Sequence, residues 1–143
     1  MSKIAVVFWS GTGNTEQMAE SVANGARNAG ADVTTFTAAE FDADKMDEFD
    51  AIAFGCPAMG AEVLEEAEME PFVAEVEGFA SGKKIALFGS YGWGDGEWMR
   101  DWEARMQSAG AELVGGAGLM CHETPDAEGL EECKELGRQL ANA

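Results

Sequence analysis

The stretch WSGTGNTEQMAE, residues 9–20, follows an unbroken apolar run at residues 4–9 and leads into a segment with helical periodicity. Gly11 and Gly13 make the loop supple, and Ser10, Thr12, Asn14 and Thr15 surround it with polar side chains. An apolar strand, a glycine-rich turn and a helix in immediate succession form the opening of an α/β unit. Backbone N–H groups at such a helix N-terminus can hold a phosphate through hydrogen bonds and the helix dipole. The loop has no Lys or Arg, and Glu16 stands at its exit. An ordinary turn, with Thr or Asn capping the helix, is the competing reading of the same residues.

Other apolar runs repeat this arrangement. Residues 51–56 and 85–89 are continuous enough to be strands buried on both faces, whereas 33–37 (VTTFT) suits an edge strand. Residues 113–120 (LVGGAGLM) make a fifth strand interrupted by three glycines. Between the strands lie helical stripes: Met18, Ala19, Val22, Ala23 and Ala26; then Met69, Phe72, Val73 and Val76; then Trp98, Met99, Trp102, Met106 and Ala109; then Leu130, Cys133, Leu136, Gly137 and Leu140. A further short helix is expected near residues 45–49. Five strands alternating with helices predict a single α/β domain over residues 1–143, doubly wound around a parallel sheet. In such a sheet the loops 10–15, 56–62 and 90–96 emerge side by side at the carboxyl edge, where ligands bind.

Composition narrows the function. The chain has 143 residues, 27 acidic against 9 basic, for a net charge of −18. That field repels nucleic acid and anionic lipid and steers basic protein surfaces. No apolar run approaches the ~20 residues of a membrane span, and the N-terminus does not read as a signal peptide. Three widely spaced cysteines, Cys56, Cys121 and Cys133, with no CxxC pair, fit reduced thiols in a cytoplasmic protein.

The first loop lacks the third glycine of a dinucleotide fingerprint, since position 16 is Glu, and there is no Gly-Lys-Ser/Thr triplet. The end of the first strand carries Trp9 and Ser10 rather than the carboxylates of a phosphoryl-accepting site. The second and third loops offer Met59 beside Gly60, and Tyr91 and Trp93 among glycines. Met59 and Trp93 fall outside the helical stripes, and together they can sandwich a flat heterocycle. A terminal phosphate plus a planar ring points to a mononucleotide.

In combination, WSGTGNTE, GCPAMGAEVLEE and KKIALFGSYGWGDGEWMRDWEARM resemble the phosphate loop and two flavin loops of the flavodoxin family, in order and spacing. The resemblance runs nearly end to end and is to the short-chain type, without an insertion in the fifth strand. It implies strand order 2-1-3-4-5 and a non-covalently bound FMN. It implies a low-potential one-electron carrier, not an enzyme, that cycles mainly between the neutral semiquinone and the hydroquinone and shuttles electrons between redox enzymes.

On this resemblance Ser10, Gly11, Thr12, Gly13, Asn14 and Thr15 hold the FMN phosphate, with Ser10, Thr12 and Thr15 supplying hydroxyls. Pro57, Ala58, Met59, Gly60, Ala61 and Glu62 form the second flavin loop. Met59 covers the inner ring face, and Glu62 accepts from flavin N3–H. The peptide between Met59 and Gly60 turns when the first electron arrives. Ser90, Tyr91, Gly92 and Trp93 form the third loop, with Trp93 on the outer face. His122 falls at the flavin rim. Pro57 and Ala61 depart from relatives that carry polar side chains there. Basic docking faces of redox proteins are the implied partners of a monomer. An FMN-dependent NAD(P)H:quinone-type reductase and a non-redox phosphate-binding module are the alternatives on this fold.

Overall fold

The structure, a computed structural model, describes residues 2–11, 13–59, 63–92 and 94–143. Four strands form the parallel framework: β1 (Lys3–Phe8), β2 (Asp32–Thr37), β3 (Ala51–Gly55) and β4 (Lys84–Tyr91). Two short strands, β5 (Glu112–Leu113) and β6 (Leu119–His122), pair in parallel with successive parts of β4 and share the fifth position. The order across the sheet is β2-β1-β3-β4-β5, as the resemblance implies.

The fifth strand is broken rather than merely weak. Leu113 stands opposite Ile85 and Leu119 opposite Phe88, so five residues on one side span the place of two on the other. Gly115 and Gly116 have φ of 87° and 82°, a left-handed conformation that a strand cannot run through. The surplus residues loop out, and pairing resumes at Leu119.

Four helices cover the sheet: α1 (Asn14–Asn28), α2 (Met69–Val76), α3 (Glu97–Ser108) and α4 (Ala127–Ala141). Side chains alternate across each strand, and this explains the continuous apolar runs. Ile4, Val6, Ala51, Ala53, Ala86 and Phe88 face α1 and α4, against Met18, Val22, Cys133, Leu136 and Leu140. Ala5, Val7, Ile52, Phe54, Ile85 and Leu87 face the other way, against Met69, Phe72, Val73, Val76, Trp98, Trp102 and Met106. Leu130, expected on the α4 stripe, is only half-buried, and Gly129 takes the buried place. The expected short helix near 45–49 appears as two 3-10 turns, Ala38–Glu40 and Ala43–Glu48. Ala43 and Met46 of the second turn reach the core.

Helices α1 and α4 cross in direct backbone contact. A Cβ on Gly25 would lie 2.0 Å from the Lys134 carbonyl oxygen, and one on Gly137 would lie 2.0 Å from that of Val22. Across the other face, Arg105 of α3 reaches Glu70 at 2.6 Å and Glu77 at 2.5 Å, tying α3 to α2. No helix among the described residues is long and apolar enough to cross a membrane, and no cluster of side chains there suits a metal ion.

Candidate functional site

Because the strands are parallel, their carboxyl ends share one edge, and hydrogen bonding carries the sheet into the loops beyond. The Trp9 N–H donates to Gly55 O at 3.0 Å, Cys56 N–H to Phe88 O at 3.1 Å, Ala58 N–H to Ser90 O at 3.0 Å and Glu123 N–H to Tyr91 O at 2.7 Å. Four loops are thereby held in register around a cleft of about 230 Å³. It is lined by Trp9, Gly11, Asn14, Pro57, Ala58, Met59, Ser90, Tyr91, Gly92 and Glu123. A larger cleft, about 390 Å³, lies between residues 63–70 and α3 instead of at the strand ends. The position of the smaller one, at the edge where glycine-rich loops meet, makes it the candidate site.

Helix α1 starts from Gly13, whose φ of 94° is left-handed and which has no side chain of its own to cap it. Asn14 and Thr15 lie inside the helix and not at its cap position, and Thr12 falls outside the described residues. The hydroxyl of Ser10 instead accepts from the Gly13 N–H at 3.1 Å and the Glu16 N–H at 3.3 Å. These donors converge at the positive end of a 15-residue helix. Thr15 is buried, and its hydroxyl meets that of Ser90 at 3.2 Å. When Ser90 donates in that pair, Thr15 keeps its own O–H for another acceptor. Asn14 accepts from the Thr124 hydroxyl through Oδ1 at 3.2 Å, which orients its amide beside the cleft.

The second loop is fixed at both ends. Met59 and Val63 exchange two backbone hydrogen bonds, of 2.8 and 3.0 Å, across residues 60–62. Upstream, the Cys56 carbonyl accepts from the Trp98 indole at 3.1 Å. It presses so closely on Gly89 that a Cβ there would lie 2.1 Å from it. Downstream, the carboxylate of Glu65 accepts from the N–H groups of Ala67, Glu68 and Met69 at 2.8, 2.7 and 3.0 Å. Partial desolvation opposes ionisation of Glu65, but these three donors prevail and hold its carboxyl below the usual range. The Cys56 thiol is pushed up to about 12 by burial and is inert.

In the third loop, the Tyr91 ring packs against Trp98 and His122, at centroid distances of 5.8 and 5.1 Å. His122 ends β6 and bonds the Gly92 carbonyl through Nε2 at 3.1 Å. From this segment the cleft lining takes Glu123. Trp98 and Trp102 are core residues, each 1% exposed.

Among the expected site residues, Gly11, Asn14, Pro57, Ala58, Met59, Ser90, Tyr91 and Gly92 line the cleft, and Ser10, Gly13 and Thr15 surround the α1 N-terminus beside it. Thr12, Gly60, Ala61, Glu62 and Trp93 lie outside the described residues. Trp9 and Glu123 were not singled out from sequence. Gly11 stacks on Trp9, with its built Cβ 3.1 Å from the ring. Glu123, with φ of 55°, is the non-glycine residue in left-handed backbone among those described.

None of the described lining residues is basic, and one is acidic. Backbone amides at a helix N-terminus and neutral hydroxyls are the donors beside the cleft, and Met59 and aromatic groups supply flat or polarizable walls. This donor set fits a phosphate carrying a planar ring, and FMN is such a molecule.

Comparison with known proteins agrees. The flavodoxin family model matches residues 6–137. The chain is 49% identical over 137 residues to the flavodoxin of Clostridium beijerinckii, covering 96% of this chain and 98% of that one. It is 45% identical to the flavodoxin of Megasphaera elsdenii, covering 98% and 99%. The solution structure of the two-electron reduced Megasphaera elsdenii flavodoxin superposes with a TM-score of 0.88 at 44% identity, over 98% of this chain and 99% of that one. The chain belongs to the flavodoxin family, whose members bind FMN and carry electrons between redox proteins and are not themselves enzymes.

Proposed function

We propose that residues 1–143 form one FMN-binding domain working as a low-potential, one-electron carrier between the semiquinone and hydroquinone levels. The observation that supports this most is the cleft itself. It sets the N-terminal end of α1, Met59 and the Tyr91–Gly92 segment around one small volume. FMN supplies reversible one-electron chemistry at its ring; the chain binds, orients and tunes it.

In this reading Ser10, Gly11, Thr12, Gly13, Asn14 and Thr15 bind the phosphate. Charge-assisted bonds of roughly 1.5–3 kcal/mol each substitute for a cation. A Lys here would also favour adding electrons to the ring, so its omission keeps the potential low. Met59 and Trp93 cover the two ring faces, and Glu62 accepts from the pyrimidine edge. Pro57, Ala58 and Ala61 complete the second loop, and Ser90, Tyr91 and Gly92 complete the third. The paired backbone hydrogen bonds of Met59 and Val63 frame the segment that carries the Met59–Gly60 peptide. Gly60 is the residue there that can adopt positive φ without steric cost. A backbone carbonyl turned toward N5 would accept the hydrogen bond of the N5–H that forms when a proton accompanies the first electron. One such bond of ~1 kcal/mol moves a one-electron midpoint by about 40 mV. The net charge of −18 opposes the second electron and steers the monomer toward basic docking faces.

The test is an anaerobic reductive titration of the FMN-loaded protein followed by absorbance. A blue neutral semiquinone that accumulates and then bleaches supports the carrier reading. Direct passage to the two-electron form, with NAD(P)H oxidised by the protein alone, would move the reductase alternative ahead.

A further inference from the structure

Glu123 is held in a backbone conformation that its own side chain disfavours. Its φ is 55°, in the left-handed region where Cβ crowds the backbone. Such strain persists where the surroundings over-determine it, and it collects at ligand sites. Three ties surround it here. The Glu123 N–H donates to Tyr91 O at 2.7 Å, carrying the β4–β6 pairing one residue past His122. His122 bonds Gly92 O through Nε2 at 3.1 Å. The Thr124 hydroxyl donates to Asn14 Oδ1 at 3.2 Å, in the first turn of α1. Glu123 is thereby set between the third loop and the α1 N-terminus, and it lines the cleft.

We propose that Glu123 selects the hydroxylated chain that joins ring to phosphate in FMN, its carboxylate accepting hydrogen bonds from the chain O–H groups. This rests on the reading above, in which the phosphate goes to residues 10–15 and the ring to the second and third loops. A chain joining those two places passes the residue set between them. Glu123 is the charged group among the described lining residues, and its carboxylate has no hydrogen-bond or ion-pair partner among the described residues.

The chemistry of a carboxylate decides which part of the ligand it serves. When ionised it accepts hydrogen bonds and cannot donate them. A phosphate dianion offers it no hydrogen and is repelled by it. A polyol offers several O–H donors, and bonds to a charged acceptor are stronger than neutral ones. The same carboxylate discriminates against a plain hydrocarbon chain, which would displace its water and return no hydrogen bond. The left-handed backbone at residue 123 thus favours ligand choice over apoprotein stability.

The experiment titrates the whole chain, freed of flavin, with three ligands and follows flavin fluorescence. These are riboflavin, FMN and an FMN analogue with a plain pentyl chain between ring and phosphate. In Glu123→Ala, riboflavin should bind about tenfold more weakly, as for one charge-assisted bond at an exposed site. FMN should weaken by less, because repulsion of its phosphate is relieved at the same time. The pentyl analogue should bind this variant at least as well as wild type. Glu123→Gln keeps an acceptor oxygen and should restore part of the riboflavin loss. Glu123→Gly relieves the strain, so its apoprotein should match wild type in urea while losing riboflavin affinity as Glu123→Ala does. Unchanged riboflavin affinity in Glu123→Ala would overturn the proposal, and so would an equal loss for the pentyl analogue. A wild-type chain that takes up no FMN would overturn the cofactor reading itself, and the proposal with it.

Discussion

The indole N–H of Trp98 donates to the carbonyl of Cys56 at 3.1 Å, so that α3 holds the last residue before the second loop. Trp102, one turn further along α3, is equally buried, yet its Nε1 finds no partner among the described residues. The same substitution should therefore cost different amounts at the two sites. Trp98→Phe removes a donor and leaves a buried carbonyl unsatisfied, for about 1–3 kcal/mol. Trp102→Phe removes an indole N–H that pairs with nothing, so a milder loss is expected. Urea denaturation of the two apoproteins checks the order, and equal losses would contradict it. FMN binding should also weaken in Trp98→Phe, since the 57–59 backbone starts from the freed carbonyl.

Gly137→Ala tests the crossing of α1 and α4. The new methyl would lie 2.0 Å from the Val22 carbonyl oxygen, a contact relieved only by moving one helix off the other. Overpacking of this kind typically costs 1–3 kcal/mol, and rigid backbone on both sides places the change at about the upper end. Thermal unfolding should fall by several degrees. Gly30→Ala, whose built Cβ meets nothing within 4 Å, separates steric cost from backbone strain because its φ is +95°. A Gly137→Ala protein as stable as wild type would mean the helices separate freely.

Much of this arrangement was legible in the residues. Runs such as 51–56 are apolar at every position because both sheet faces are covered, and strand-end glycines place the loops at one edge. The broken fifth strand was less legible, since LVGGAGLM shows where pairing weakens but not that Gly115 and Gly116 take left-handed φ. At the site, periodicity separated Trp98 and Trp102 from Met59 correctly. Trp9 reads from sequence as the end of an apolar run, and its position at the cleft depends on where β1 ends, at Phe8. Glu123 sat among other acids, and only its φ of 55° and its bond to Tyr91 O distinguish it. His122 reads from sequence as rim, and in the structure it bonds Gly92 O and packs on the Tyr91 ring of the third loop.

Glu65 gives the loop-to-α2 junction a pH dependence of defined sign. Its folded carboxyl is held below the ordinary glutamate value of about 4.3, so the charged form is favoured by folding. The contribution is complete above the unfolded value and disappears as pH falls through the folded one. Glu65→Gln keeps one acceptor oxygen but loses the charge and the second oxygen near the α2 N-terminus. At pH 7 it should be less stable by about 1 kcal/mol, in the range of a lost helix cap. As pH falls below the ordinary glutamate value and through the lower folded one, the gap to wild type should close. Paired urea titrations across this range decide the matter; a gap that stays constant with pH would rule out the carboxylate as its source.

Ser10→Ala separates the phosphate site from the ring site. In the structure the Ser10 hydroxyl holds the N–H groups of Gly13 and Glu16, the donors an incoming phosphate would take. The hydroxyl thus has two roles: it satisfies the α1 N-terminus in the empty protein, and it can turn its own O–H toward a bound anion. Removing it costs the apoprotein a cap of about 1 kcal/mol. It costs the complex a charge-assisted bond of roughly 1.5–3 kcal/mol, and the difference, roughly 0.5–2 kcal/mol, lowers affinity about two- to thirtyfold. Riboflavin carries the same ring without the phosphate, so its affinity should stay within about twofold of wild type. Fluorescence quenching titrations with both ligands provide the comparison. Parallel losses for FMN and riboflavin would show that Ser10 acts by shaping the cleft as a whole. A loss confined to FMN would place the phosphate at the α1 N-terminus and show a dianion held there by neutral donors.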